Sequence, residues 1–361
     1  MEFIQYKIQK KDTLESIAEK QKISVNELVD FHNQHSGITG VIIGSTLPIH
    51  LEHIIVSKEH LKKQKVRSIR EGEKVPFNQK ARYRCEQVNT TSINGEVAQF
   101  VEQKFQYLLK IDTVHNIGSV KREDYLKKMT PPVMLNVLDF IAETDQIKHN
   151  ILFTLDENGQ IKKILNRKEL HDNWTVYKKQ QLFRNPFIIE LAKANEEGVQ
   201  EIIKLGDTQF SPEAANEEEY RKDFFYFTCF NQYINSDRLE PAHFSFLSTV
   251  VPPNVIPLTL RYDKVSEHHE ILTLRMVAEY ELNKELEENI ISQYNNLHQP
   301  SIGFSYTQYK LIFRSKIEID TRTGLVKTAI VKMKESIADN IENECNYSIK
   351  QLENYTPDEG N

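Results

Sequence analysis

Two helix start signals lie within nineteen residues near the beginning of the chain, in the segment KKDTLESIAEKQKISVNEL (10–28). Asp12 precedes Glu15 by three residues and Ser24 precedes Glu27 by three, which is the spacing of a capping box. Apolar residues follow each signal at intervals of three and four, as on the buried face of an amphipathic helix. The segment therefore predicts two short helices packed on one core.

Apolar and polar residues alternate on both sides of this helix pair, which is typical of half-buried strands. The apolar positions are Ile4, Tyr6 and Ile8 before the helices and Leu47, Ile49 and Leu51 after them. The predicted order is strand, helix, helix, strand. A unit of roughly fifty residues is close to the smallest that folds without disulfides or metal.

This N-terminal segment resembles a LysM domain over residues 3–56. The resemblance rests on YKIQKKDTLESIA, VNELVDFHN and IIGSTLPIH, which occur in the order of the family pattern. It implies binding of N-acetylglucosamine polymers, either bacterial cell-wall peptidoglycan or a chitin-like glycan, in a shallow groove between two loops. The glycan-binding residues that it implies are Asp12, Thr13 and Leu14 in the first loop and Gly40, Val41, Ile42 and Ile43 in the second. Such binding requires no cofactor, metal ion or catalytic residue.

Several of these positions also have a structural explanation. Asp12 can cap a helix, Leu14 belongs to the apolar stripe, and a glycine such as Gly40 can shape a turn. Val41 and Ile42 are the better candidates for ligand contact, because aliphatic residues in a glycine-flanked loop have no obvious helix or strand partner. A single module of this kind should bind weakly on its own.

Charge and apolar content argue against two kinds of partner. The net charge is −6, so nothing in the whole-chain balance indicates nucleic acid. No stretch approaches roughly eighteen consecutive apolar residues, so membrane insertion is not expected. The chain also begins without the basic start and apolar run of a signal peptide. We therefore expect a protein that is cytoplasmic as synthesised, with delivery to the cell wall or export by a non-classical route left open.

The chain is predicted to contain four segments. Residues 1–56 form the LysM-like module, and residues 57–78 form a charged linker. Residues 79–210 and 211–355 are predicted as two related α+β units with antiparallel sheets. The cysteines, Cys85, Cys229 and Cys345, are odd in number and far apart, so reduced structural thiols are expected.

Long strands with one wet face favour antiparallel sheets after residue 79. Alternation is clearest in three stretches, 101–111, 272–282 and 309–319. Hairpin turns are predicted at Asn94-Gly95, Asn158-Gly159 and Gly324. Residues 168–206 and 213–233 are predicted to be helical.

An internal repeat is predicted from two segments, 153–173 and 317–340. Each runs through a strand, an aspartate, a turn glycine and a second strand, and then reaches Lys-Glu and Asp-Asn pairs that would open a helix. The prolines of MTPPVML (129–135) and VVPPNVIP (250–257) are interpreted as rigid connectors between subdomains.

Patterns of catalytic chemistry are weak in this part of the chain. His268, His269 and Glu270 stand together, but neighbouring strand positions face opposite sides, so we interpret them as a polar loop entering a strand. Cys229 lies among aromatic residues, which is typical of a small core side chain.

The favoured function is a non-catalytic, LysM-type glycan-binding protein whose larger part is a scaffold or an interaction platform for protein partners. Two alternatives stay open. One is a LysM-bearing component or cargo of a phage-tail-like contractile injection or type VI secretion apparatus. The other is a cell-wall-active hydrolase whose catalytic carboxylates carry no mark in the sequence.

Overall fold

The computed structural model describes residues 3–8, 12–21, 23–36, 41–42, 46–48, 51–57, 75–215, 217–230 and 241–354. The chain divides into two compact units, the module (Met1–Arg70) and the body (Glu71–Asn361). Most of the predicted linker, residues 58–74, lies outside the described residues. Helices and antiparallel strands occur together, which confirms the α+β fold class. No helix among the described residues is long and apolar enough to cross a membrane.

The module has the predicted order of strand, helix, helix and strand. Its elements are β1 (Phe3–Lys7), α1 (Leu14–Gln21), α2 (Val25–His35) and β2 (His53–Ser57). The two strands pair antiparallel, with Phe3 opposite Ser57. Side chains from both helices and β2 share one buried core, which contains Leu14, Ile17, Ala18, Leu28, Ile42, Ile54 and Val56.

The capping box predicted for the second helix is present. Ser24 Oγ accepts from the Glu27 N–H at 3.2 Å, and Glu27 Oε2 accepts from the Ser24 N–H at 2.9 Å. The second strand was predicted at Leu47–Leu51, which is wrong, because it begins at His53. Pro48 has no N–H to give to a strand ladder, whereas the apolar run from Ile54 to Val56 is buried and pairs with β1.

A buried histidine joins the second strand to the second helix. His32 is 2% exposed, and its Nδ1 accepts from the Ile55 N–H at 2.9 Å. Because the accepting nitrogen carries no proton, the ring proton of neutral His32 is assigned to Nε2. This contact fixes α2 against β2 at the centre of the module.

The body contains, among its described residues, one antiparallel sheet of eleven strands in the order β7-β6-β5-β4-β3-β13-β12-β11-β10-β9-β8. The strands are β3 (Gln79–Ile93), β4 (Glu96–Asp112), β5 (Ile117–Thr130), β6 (Asn150–Leu155), β7 (Ile161–Ile164), β8 (Ala242–Leu247), β9 (Val255–His268), β10 (Ile271–Tyr280), β11 (Tyr309–Asp320), β12 (Val326–Ile337) and β13 (Ile341–Asn354). The helices are α3 (Leu135–Ile147), α4 (Arg167–Gln180), α5 (Pro186–Ala194), α6 (Glu196–Gln209), α7 (Glu217–Lys222), α8 (Phe224–Cys229), α9 (Lys284–Leu297) and α10 (Gln299–Ile302).

The two predicted α+β units, residues 79–210 and 211–355, share this sheet. β3 from the first and β13 from the second pair over almost their whole length, from Ala81 opposite Asn354 to Ile93 opposite Ile341. On either side of this pair the strands lie in chain order, with helices inserted between β5 and β6 and between β10 and β11. Residues on both sides of position 210 therefore belong to one compact unit.

The predicted strands and turns agree closely with the sheet. Two of the alternating stretches lie in β4 and β11, and the third lies in β10 up to Tyr280, two residues short of its predicted end. The predicted turns join β3 to β4, β6 to β7 and β11 to β12. Asn94, Gly95, Gly159 and Gly324 all have positive φ, as such turns require. His269 and Glu270 form a further hairpin turn with φ of 49° and 65°, which contains neither Asn nor Gly.

The prediction that both repeat segments end by opening a helix is wrong for the second segment. In the first segment a helix does follow, since α4 begins at Arg167. In the second segment Lys334 and Glu335 lie in β12, and Asp339 belongs to the turn before β13, with φ of 66°. Pairing with β11 on one side and β13 on the other keeps this segment extended.

The Pro-rich segments are also not boundaries, because both lie at strand ends inside the body.

One face of the sheet is apolar and the other is charged. On β11, Tyr309, Leu311 and Phe313 are buried, whereas Lys310 and Arg314 are exposed. Charges of opposite sign pair on the exposed face, for example Arg82 with Glu123, Arg275 with Asp263, and Lys334 with Glu342. This pattern is the one expected of an antiparallel sheet covered on one side.

The short helix α8 packs across the buried face. Phe225 stacks on Tyr107 of β4 with ring centres 4.2 Å apart, and its edge meets Tyr83 of β3. Its neighbour Phe224 contacts Tyr347 of β13. Cys229 at the end of the helix is buried, as predicted, and burial raises the pKa of its thiol. Aromatic contacts of this helix thus hold the two halves of the sheet together.

A buried carboxylate anchors the loop between β8 and β9. Glu335 of β12 is 0% exposed and accepts from Ser248 Oγ at 2.5 Å, from the Thr249 N–H at 2.7 Å and from Thr249 Oγ1 at 2.8 Å. The Val250 N–H and the Tyr309 hydroxyl donate to it at 3.1 and 2.8 Å. Burial, and then the neighbouring carboxylate, raises the pKa of Tyr309. Five donors compensate for the desolvation of the single charge.

We predict that Glu335→Ala destabilises the body by about 3–5 kcal/mol, because it leaves buried donors unpaired. The unfolding free energy can be measured with urea, using the fluorescence of Trp174, the only tryptophan in the chain, which is buried in the body. Glu342→Ala is the control, because it removes a partly exposed ion pair worth less than about 1 kcal/mol. Equal losses for the two variants would contradict this account of Glu335.

Candidate functional site

The first candidate loop is fixed by a cap that is shifted one residue from the prediction. Thr13, and not Asp12, caps α1, because Thr13 Oγ1 accepts from the Ser16 N–H at 3.1 Å. Ser16 Oγ accepts in return from the Thr13 N–H at 2.8 Å. Asp12 instead accepts from the Tyr6 hydroxyl at 2.8 Å, which ties the loop to β1.

A carboxylate beside the cap is held in its charged form. Hydrogen bonds from its own backbone N–H and from the Thr13 hydroxyl lower the pKa of Glu15 below its ordinary value. The partial positive charge at the N-terminal end of α1 also favours a negative charge at this position. The first turn of α1 therefore presents an anion to solvent, beside the exposed Thr13.

The second candidate loop is fixed by the side chain of Asn33 near the end of α2. Its amide nitrogen donates to the Ile42 carbonyl at 2.9 Å, and its amide oxygen accepts from the Ile42 N–H at 2.8 Å. Both backbone groups of Ile42 are thus bound by one planar side chain. The loop cannot slide along the helix without breaking both bonds.

The predicted contact residues differ in their accessibility. Leu14 is 0% exposed and Ile42 is 2% exposed, and both side chains belong to the same buried core. They bring the two loops onto a common floor but offer no side-chain surface to a ligand. Val41 is half-buried and Thr13 is exposed, so these two face outward.

Two predicted contact residues, Gly40 and Ile43, lie outside the described residues. The described part of the site is therefore one edge of each loop. Its chemistry is a hydroxyl and a half-buried aliphatic side chain on a rigid base. Such groups suit an acetamido sugar, which has an amide donor, a carbonyl acceptor and apolar C–H faces.

The residues that position the loops were not identified as functional from the sequence. Tyr6 and Asn33 occur within the stretches that carry the family resemblance, but their partners lie six and nine residues away. In the sequence, Asn33 is marked only by its place at the end of VNELVDFHN in the family pattern. The spacing of apolar residues contains no information about which partner it finds.

The geometry defines a small βααβ module with two anchored loops over one core. A family model for the LysM domain matches residues 6–33, which confirms the resemblance seen in the sequence. The match indicates binding of a glycan of the peptidoglycan or chitin class. It does not extend into the body.

Two further comparisons concern the whole chain. No curated protein matches it. A solved structure described as "Lipid-protein interactions in lipovitellin" is similar to it with a TM-score of 0.38 and 9% identity, covering 80% of this chain. The chain spans only 26% of that longer protein, and a similarity at this level carries no argument about fold or function.

We predict that Asn33→Ala releases the second loop. Removing the amide leaves two backbone groups of Ile42 unpaired, at a cost of about 1–3 kcal/mol. Exchange of the Ile42 amide hydrogen with solvent, followed by NMR, should become about tenfold faster or more. Asn26→Ala, at an exposed position of the same helix, is the matched control and should leave this rate unchanged. An unchanged rate in Asn33→Ala would show that the amide does not hold the loop.

Proposed function

We propose that the module binds N-acetylglucosamine-containing polymers, peptidoglycan or chitin, as a non-catalytic recognition unit. The supporting observation is the coincidence of the LysM match with the geometry of the loops. The matched residues 6–33 include Tyr6 and Asn33, whose side chains anchor the two loops that would form the groove. Recognition by backbone groups and aliphatic contacts needs no titrating residue.

We propose that the body serves as a scaffold or as a platform for protein partners. Its broad sheet supports this role, because the strands from both ends of the body meet in the β3–β13 pair. The aromatic contacts of α8 and the hydrogen bonds of Glu335 fix the sheet and one of its loops. A rigid body of this kind could hold several modules on one polymer if the chain assembles, which would compensate for weak binding by each.

Co-sedimentation of the full chain with insoluble peptidoglycan and with chitin tests the glycan-binding proposal. We predict retention on at least one of these polymers and none on cellulose, which lacks the acetamido group. Val41→Asp should weaken retention about tenfold or more, because a charge would replace the aliphatic contact beside Ile42. Both polymers offer many binding sites, so weak single-site affinity remains measurable.

Asn26→Asp is the control for this substitution. It changes the charge in the same way, at an exposed position of α2 that is separate from both loops. Its retention should equal that of the natural chain. If the natural chain did not sediment with either polymer, or if Val41→Asp bound as well as the natural chain, the proposal would be wrong.

A further inference from the structure

A polar cavity lies in the body, far along the chain from the LysM match. It has a volume of about 240 Å³ and lies between β3, β4 and β5 of the sheet and the helices α6, α7 and α8. All residues that line it belong to the described part of the body. Lys148 at the end of α3 and Gln209 at the end of α6 also line it.

The buried face of the sheet changes from apolar to polar at this cavity. On β3 the inward positions Tyr83 and Cys85 are fully buried, and the next inward position is Gln87. Directly opposite on β4, Gln103 interrupts an apolar series that continues at Phe105. Gln103 Nε2 donates to the Tyr125 hydroxyl at 2.9 Å and Gln87 Nε2 donates to Asn89 Oδ1 at 3.3 Å, which leaves acceptor capacity on their amide oxygens. A core alone would favour apolar residues at these two positions.

A bulge in β5 turns a basic residue into the same cavity. The pairing of β4 with β5 shifts at Glu123, so that Tyr125 lies opposite Phe105 while Arg122 lies opposite Tyr107. Regular alternation from Tyr125 would have placed Glu123 on the inner face. Bulges often re-aim a side chain next to a functional site.

The guanidinium of Arg122 is buried but incompletely bonded. Its side chain is 7% exposed, and its Nε has no hydrogen-bond partner among the described residues. Nη1 lies 3.6 Å from Asp145 Oδ2, and Nη2 donates to the Ala142 carbonyl at 3.4 Å, which are long distances for such contacts. A buried guanidinium in this state has capacity for a further acceptor.

The charges around the cavity do not favour a simple anion as that acceptor. Arg122 and Lys148 are two basic groups, and Asp145, Glu219 and Asp223 are three acidic ones, of which Asp223 has its pKa raised by burial. The lining therefore has no excess of positive charge. A ligand that both donates and accepts hydrogen bonds fits this mixture better than a phosphate or a carboxylate does. Hydroxyl groups have both capacities.

Aromatic rings supply an apolar wall beside these polar groups. Phe105 and Tyr107 line the cavity with ring centres 5.9 Å apart, and Tyr125 stacks behind Phe105 at 5.1 Å. Because Phe225 and Tyr125 already stack on these two rings, the wall offers apolar contact to the C–H groups of a sugar and no free ring face. Pockets for drug-sized ligands measure roughly 300–1,000 Å³, so this smaller cavity suits a single ring.

We propose that this cavity binds one uncharged sugar ring, with Arg122, Gln87 and Gln103 as hydrogen-bonding residues and Phe105 and Tyr107 as an apolar wall. The site is separate from the loops of the module, and the proposal does not rest on the glycan binding proposed for them. The body would thus recognise a sugar unit directly.

Hydrogen–deuterium exchange of the full chain, resolved by peptide, tests this proposal. The probes are N-acetylglucosamine and glucose as uncharged sugars and glucuronate as an anionic one, each at roughly 10 mM, which would saturate a site of millimolar affinity. We predict slower exchange in peptides covering residues 99–107 and 205–226 with at least one uncharged sugar, and a weaker effect with glucuronate. The same experiment reports separately on peptides from the module.

Three variants sharpen the result. Arg122→Met removes the guanidinium. Gln87→Leu continues the apolar series of β3 and so should fold normally. For each variant, the sugar concentration that gives half of the maximal protection should rise at least tenfold. Arg314→Met, at an exposed position of β11, is the control and should have no effect. Val41→Asp should also leave the protection unchanged.

Several outcomes would overturn the proposal. They are unchanged exchange in both body peptides with every uncharged sugar, equal or stronger protection by glucuronate, and protection that persists in Gln87→Leu. Protection confined to peptides of the module would likewise contradict a sugar site in the body while supporting the function proposed for the module. Protection confined to peptides of the body would support the sugar site proposed here and would give no support to glycan binding by the module.

Discussion

The bidentate contact between the Asn33 side chain and the backbone of Ile42 is the constraint on which the candidate binding site depends. The two hydrogen bonds fix the second loop to the second helix. The Ile42 side chain then enters the core that Leu14 occupies from the first loop. A shallow site makes few contacts with its ligand, so the cost of ordering its loops on binding would lower the affinity strongly. Loops that are already anchored in the free protein avoid this cost.

In the body, the main structural requirement is to hold a very wide sheet in one shape. Twisted open sheets rarely exceed about ten strands without additional support. Here the aromatic side chains of α8 contact strands from both halves, through Phe225 on β3 and β4 and Phe224 on β13. The charged outer face carries cross-strand ion pairs, which individually contribute little to stability. Most of the support therefore comes from the buried face.

Local signals in the sequence predicted the local structure well. The Ser24–Glu27 capping box, the Asn94-Gly95 turn and the alternation of β4, β10 and β11 depend on neighbouring residues alone, and all of them are present. The cap of the first helix was misplaced by one residue, because Asp12 and Thr13 are both good caps and only the contact of Tyr6 with Asp12 decides between them.

Non-local pairing decided what local signals could not. Lys334 and Glu335 have the composition of a helix start, but strands on both sides hold them in β12, where five hydrogen bonds satisfy the Glu335 carboxylate. The β3–β13 pair joins segments about 250 residues apart (the contact of Thr91 with Asn343 spans 252), and no spacing rule reveals it. In the site, the family pattern located the loops, whereas the burial of Leu14 and Ile42 required the folded core.

The central claim is that the two anchored loops of the module form the surface that meets the glycan. Its most direct test is a titration of the isotope-labelled full chain with a soluble N-acetylglucosamine oligomer, followed by amide chemical shifts. The account predicts saturable shifts at Thr13 and Val41, on the outer edges of the two loops. Unperturbed amides at both positions, under conditions where the oligomer is bound, would contradict it.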